Sequence, residues 1–353
     1  MRRFVFRLLL LAIAGTAAIA GCGPRRGPGS VNPHARIVVT DESEIRSRLG
    51  HRARALLREE RFDEIEAIAE SLRTADARWP SGAPKLVSFA QRGFQEVDDP
   101  SQAQQWEDHL AQLRVWRDAR PQSSLAPIAL AEALDGRGWT ARGTGLANTI
   151  RRRQWERLYN DLDDADVMLR QCPAAARDNP LWYESMLAVQ HGLGADHDST
   201  YRLLLAEAIA RFPLHHRFYV NAAIHLMPRW YGAPGEMAAF TLGATRPLPD
   251  SVADEYYARV VTSQAHYYAN VFKENEGLSW PHTLSGLRLW RRHWPASTQP
   301  TSALALLSSL ADQPQYARQA FAQLGDTLDF EILGSRQNYE WARAYASSSP
   351  PTR

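Results

Sequence analysis

Residues 225–240, HLMPRWYGAPGEMAAF, bring His225, Arg229, Trp230, Tyr231 and Glu236 around two glycines and two prolines. These side chains can pair with a carboxylate, accept or donate protons, and stack on a sugar or peptide. A second group lies in DGRGWTARGTG, residues 135–145, where Trp139 and Arg142 sit among four glycines. That stretch lacks the G-x-x-x-x-G-K-S/T spacing of a phosphate loop, and no strand precedes it. It reads as a connection between a helix ending near Leu134 and one beginning near Leu146. NDLDDAD, 160–166, places four aspartates close together, but Asp166 stands where a calcium loop needs glycine. A solvated helix face is the expectation there. The histidines show no H-E-x-x-H spacing, so no metal site and no cofactor is expected. No G-x-S-x-G elbow is present. Cys172 precedes Pro173 near a helix end and is expected to be a buried or half-buried structural thiol.

The elements that must position these residues read as helices. Apolar residues recur at helical spacing at Phe62, Ile65, Ile68, Ala69 and Leu72, and again at Trp106, Leu110 and Leu113. Ile150, Leu158, Leu162 and Leu169 mark a long helix that carries Trp155. Leu284, Leu287, Trp290 and Trp294 mark a later one. RIVVT, 36–40, is the one strand-like segment, so the fold class is all-α. Asp41 with Glu44 has capping-box spacing, and Asp178-Asn179-Pro180 sets a polar cap before a first-turn proline. Pro180, Pro213, Pro247, Pro281 and Pro314 are spaced by 33, 34, 34 and 33. A period near 34 is that of tetratricopeptide (TPR) repeats, although the full consensus is missing. The prolines could mark equivalent helix starts in a TPR-like array of antiparallel hairpins, an α-solenoid or α/α superhelix. The interval 247–281 departs from it, because Val252–Phe272 reads as one continuous helix. In the opening stretch a helix from about Leu214 to Met227 stops at Pro228, Gly232 and Pro234 turn the chain, and Gly235 begins the next helix.

The N-terminus carries a different kind of chemistry. Arg2, Arg3 and Arg7 precede an apolar run of 13 residues, Leu8–Ala20, too short to span a bilayer. The run ends in Ile19-Ala20-Gly21-Cys22, which resembles the bacterial lipobox. That resemblance implies cleavage of a signal peptide, residues 1–21, and diacylglycerol transfer to the Cys22 thiol with N-acylation of the new terminus. With Gly23 rather than aspartate after the cysteine, it implies an outer-membrane anchor facing the periplasm. Residues 22–40, rich in Gly, Pro and Arg, read as a flexible tether, 41–346 as the helical body, and 347–353 as a disordered tail. The body could comprise two halves, 41–135 and 146–346. The whole chain is +2; loss of residues 1–21 removes three arginines and no acid and leaves −1. There is no net basic field of the kind that nucleic-acid binding requires. If Cys22 carries lipid, Cys172 is left alone and no intrachain disulfide can form.

Three segments, WRDARPQSSLAPIALAEALDGRGWTARGTG (116–145), DNPLWYESML (178–187) and LMPRWYGAPGEMAAF (226–240), resemble landmarks of an uncharacterised bacterial family with a TPR-like helical domain of unknown function. The resemblance covers roughly residues 100–245. Its marks are Trp139, Arg142 and Gly143 in the first half, and Pro228, Arg229, Trp230 and Gly232 in the second. It implies an α-helical repeat domain and assigns no activity, cofactor or catalytic residue. Eleven Trp, 12 Tyr and 11 Phe supply core spacing and candidate contact residues alike. The expected function is a lipid-anchored helical scaffold that binds a protein or peptide in its groove. The alternative is a binder or processor of cell-wall glycan with a cleft of Trp, Arg and Glu, where hydrolysis would need two carboxylates about 5–10 Å apart.

Overall fold

The computed structural model describes residues 38–39, 41–74 and 76–347; Cys22, residues 1–21 read as a signal peptide, most of 22–40 read as a tether, and residues 348–353 lie outside them. Among the described residues the chain is all-helical apart from one short strand pairing, which accords with an α-helical repeat or solenoid-like fold. It divides into two compact units. One holds Glu42–Phe218 with Arg229–Tyr231, and the other holds Tyr219–Pro228 and the chain from Gly232 onward.

In the first unit α1 (Asp41–Arg58) and α2 (Phe62–Ser71) are followed by α3 (Lys85–Ala90), which continues into one π-helical turn over Gln91–Gln95. Next come α4 (Ala103–Ala119), α5 (Leu125–Arg142), α6 (Arg152–Arg170), α7 (Pro180–Leu193) and α8 (Asp198–Arg211). From α4 onward each helix packs on the next, and α5 also packs on α7. α5 is buried on nearly every side, as its almost unbroken apolar run LAPIALAEAL requires. α7 is buried in the same way, while α4, α6 and α8 keep a polar face in water. An aromatic core closes the start of the unit: Phe94 lies 5.3 Å from Trp116 and 5.6 Å from Phe89, between ring centroids. The cap before α7 forms as its sequence indicates, with Asn179 accepting from the Leu181 N–H at 3.0 Å and Pro180 in the first turn.

The second unit contains α10 (Glu236–Thr245), α11 (Asp250–Gln264), α12 (Trp280–His293), α13 (Gln299–Leu310), α14 (Pro314–Leu324), α15 (Phe330–Leu333) and α16 (Arg336–Ser347). Here too neighbours in sequence pack together from α10 to α14, with α16 against α13 and α14. The border between the units falls within α9 (His216–His225). Val38–Val39 pairs in parallel with Thr327–Leu328, a partner far along the chain that local pattern does not reveal.

Several sequence expectations need correction. Residues 135–142 are not a connection: α5 runs on to Arg142, and the loop is confined to Gly143 onward. Gly136 and Gly138 are tolerated inside the helix because other chain lies against them; a Cβ on Gly136 would stand 2.1 Å from the Gln95 carbonyl oxygen. The two compact units part within α9 and its turn. Val252–Phe272 is not one helix either, since α11 ends at Gln264 and the chain turns before α12. Pro180, Pro281 and Pro314 do stand in helical first turns, whereas Pro213 and Pro247 lie in turns between helices. Asp41 is the first residue of α1 rather than a cap before it.

Candidate functional site

The two sequence landmarks meet at the C-terminal end of α7. Trp139, on the last turn of α5, lies against Gly192, where a Cβ would come within 3.4 Å of its ring. Its indole N–H donates to Asp135 at 3.2 Å, one turn back on the same helix. Arg142 is buried and donates to the carbonyls of Gly143 at 2.9 Å and Gly145 at 2.6 Å, with its guanidinium over Trp155 at 5.0 Å. Burial pushes the Arg142 pKa below its ordinary value. Gly143, at φ +75°, allows the chain to leave the helix and present those carbonyls. The first landmark thus closes a helix end: tryptophan to the next layer, arginine to the loop carbonyls.

From the other side His191 meets Trp230, with ring centroids 4.3 Å apart, and the Tyr231 hydroxyl donates to the His191 carbonyl at 2.9 Å. Trp230 is half-buried, and its indole N–H has no acceptor among the described residues. Arg229 is exposed. Glu236, within the second unit, accepts from the Ala233 N–H at 2.8 Å and so caps the start of its own helix α10. Of the expected site residues, Trp139, Trp230 and Tyr231 come together around His191–Gly192; Arg142 and Glu236 hold local turns.

Two turns earlier on α7 lies a polar cluster that the sequence did not single out. Glu184 is buried and accepts from the Arg217 Nε–H at 2.7 Å, and His215 Nε2 faces the same carboxylate. Arg217, with 24% of its side chain exposed, also donates to Gln91 at 3.3 Å on the π-helical turn. Gln95, on that turn, donates to Asp135 at 2.8 Å. Ser185 donates to Glu132, which is buried on α5. Burial opposes ionisation of Glu184, but Arg217 and His215 together outweigh it and hold the carboxyl below its ordinary pKa. Chemically this is a fixed carboxylate with two cationic or polar donors, able to orient a binding edge and poorly suited to giving up a proton as a general acid. The signal for it was available: Glu132, Asp135 and Glu184 each interrupt an apolar run, and a buried carboxylate must find donors.

The remaining candidates are structural. Asp161 is buried rather than solvated and takes Arg137 at 2.7 Å and Arg157 at 3.2 Å, while Asp163 and Asp164 are exposed. Cys172 is half-buried, and burial pushes its thiol up to about 12, which leaves it unreactive near neutral pH. Among the described residues no group of three or more His, Cys, Asp and Glu is placed to hold a metal ion. None of their helices is long and apolar enough to cross a membrane.

Residues 51–168 match the family model of DUF4034, a domain of unknown function. The DUF4034 match runs from within α1 to the end of α6. It takes in Trp139, Arg142, Glu132 and Asp135 and stops short of α7 and of the Arg229–Tyr231 segment. No curated protein and no solved structure matches the chain.

Proposed function

We propose that this chain is a lipid-anchored helical scaffold, facing the periplasm, that binds a protein or peptide partner. The observation that supports it is the division of labour among the helices of the first unit. α5 and α7 bury nearly all their side chains, whereas α4, α6 and α8 each turn a large aliphatic residue to solvent: Val115 at 47%, Val167 at 51% and Leu203 at 75% exposure. Single exposed aliphatics are ordinary. Their recurrence on alternate helices of a stacked array is the pattern by which helical repeats offer a contact surface. The partner that fits is a segment with apolar side chains, since each of these residues gains by leaving water.

Lipid anchoring rests on the order of charged, apolar and small residues that ends at Cys22. The glycan-processing alternative draws no support from the carboxylates of the first unit, because Glu132, Asp135 and Glu184 are engaged by Ser185, by Gln95 and Trp139, and by Arg217.

One experiment addresses both halves of the reading. Cys22→Ser should abolish incorporation of labelled fatty acid and leave an uncleaved precursor. Leu203→Asp with Val167→Asp, in the otherwise unchanged chain, should lose crosslinks to envelope proteins while melting within a degree or two of the parent, because both sites are solvated. Unchanged crosslinking by the aspartate pair would refute the docking surface; normal lipid labelling of Cys22→Ser would refute the anchor.

A further inference from the structure

The chain from Gly277 to Ala311 contains no aspartate or glutamate, although acids are frequent elsewhere. Within it α12 carries Arg288, Arg291 and Arg292. All three are exposed, and none has an ion-pair partner or hydrogen bond among the described residues. Their spacing of i, i+3 and i+4 sets them on one side of the helix, with Cβ atoms about 5–6 Å apart. The neighbouring helices do not neutralise them. α13 has no charged residue at all. α11 contributes Asp254 and Glu255 toward α12, and both are already engaged. Asp254 takes His282 at 2.8 Å and Ser285 at 2.5 Å. Glu255 is buried and takes Arg259 at 2.7 Å, His293 at 2.5 Å and Trp294 at 3.2 Å. The guanidinium of Arg259 lies over Trp290 at 4.1 Å, so the inner face of α12 is closed while its outer face stays cationic.

A favourable interaction with the helix C-terminal dipole accounts for basic residues in the last turn. It does not account for Arg288, a turn earlier, or for the lack of any aspartate or glutamate in residues 277–311. We propose that the outer face of α12 docks on anionic phospholipid headgroups through Arg288, Arg291 and Arg292. Guanidinium groups pair with phosphate oxygens through two parallel N–H bonds, and three on one helix side suit a planar array of phosphates. The choice of a membrane rests on the anchoring reading above, which keeps the chain at a bilayer. The acyl chains would hold the chain at the surface, and the three arginines would orient the helical body against it.

Each arginine at an anionic surface contributes roughly fivefold in partitioning, so the three together contribute roughly a hundredfold at low salt. The gain should fall steeply with ionic strength as the Debye length shrinks. The test uses the full chain, with and without Arg288→Gln, Arg291→Gln and Arg292→Gln combined. Binding is measured to vesicles of phosphatidylcholine alone and of phosphatidylcholine mixed with phosphatidylglycerol. The parent should bind the anionic vesicles roughly a hundredfold better than the neutral ones. The triple variant should bind both alike, with an unchanged melting temperature, and the corresponding triple lysine variant should keep most of the gain. Equal binding of parent and triple glutamine variant to anionic vesicles overturns the proposal. So does a variant that binds vesicles normally but loses an acidic protein partner. Failure of the parent on neutral vesicles, with the anionic gain intact, removes the anchor reading and leaves the α12 surface standing.

Discussion

Trp230 packs at a tilt against His191 while its N–H lacks an acceptor among the described residues. Its contribution is therefore apolar contact rather than a hydrogen bond. Trp230→Phe should cost little, and Trp230→Ala about 2 kcal/mol, less than a fully buried tryptophan because the ring is only half-buried. Arg229→Ala, at an exposed site, should melt within about a degree of the parent, as surface substitutions do. Melts of the three purified variants check this ordering; a Trp230→Phe loss as large as that of Trp230→Ala would show that the N–H does matter. His109 gives a second residue-scale outcome. It is buried in α4 with Nε2 2.8 Å from the Phe94 carbonyl, and burial lowers its pKa to about 4. The carbonyl can only accept, so Nε2 carries the proton of a neutral ring. The folded pKa lies below the unfolded one, so the unfolded chain binds protons that the folded chain refuses. The stabilisation is complete above the unfolded value near 6.5 and is lost as pH falls toward 4. From pH 7.5 to pH 5 this group alone should remove about 2 kcal/mol. His109→Asn, which cannot take up that proton, should flatten this part of the pH dependence of the melting temperature, and an unflattened profile would assign the loss to other groups.

At the scale of elements, glycine positions separate close contact from open space. A Cβ on Gly136 of α5 would stand 2.1 Å from the Gln95 carbonyl oxygen on the π-helical turn, and one on Gly286 of α12 would stand 1.9 Å from the Asp254 carbonyl oxygen on α11. Backbone cannot yield as a flexible side chain does, so Gly136→Ala and Gly286→Ala should each cost about 3 kcal/mol or more. Gly243, inside α10 and exposed, has nothing within 4 Å of its Cβ position. Gly243→Ala should therefore stabilise by about 0.5–1 kcal/mol, through backbone entropy alone. Denaturant unfolding of the three variants checks both signs, and a stabilised Gly136→Ala would mean that the π-helical turn moves freely against α5. The same close approach explains the misread segment 135–145. Two glycines in eight residues weaken a helix considered alone, but here they let α5 meet its neighbours and continue to Arg142.

For the whole molecule, the pattern of apolar residues every three to four positions was enough to determine a helical chain, because that period is the geometry of the α-helix itself. Local chemistry likewise determined the cap at Asn179 and the first-turn prolines Pro180, Pro281 and Pro314, since each acts within one turn of backbone. The sequence also carries the order of residues ending at Cys22 and the acid-free run around Arg288, Arg291 and Arg292, both of which need no folding to be read. Only the tertiary structure decided that α5 continues to Arg142, because the close contacts at Gly136 and Gly138 override propensity there. It alone brought Trp139 and Trp230 to the α7 terminus, and joined Glu184 to Arg217 across 33 positions of chain. A carboxylate in an apolar run announces that it must find donors on folding, but which residues supply them depends on how helices distant in sequence stack, and that is set by the whole core at once.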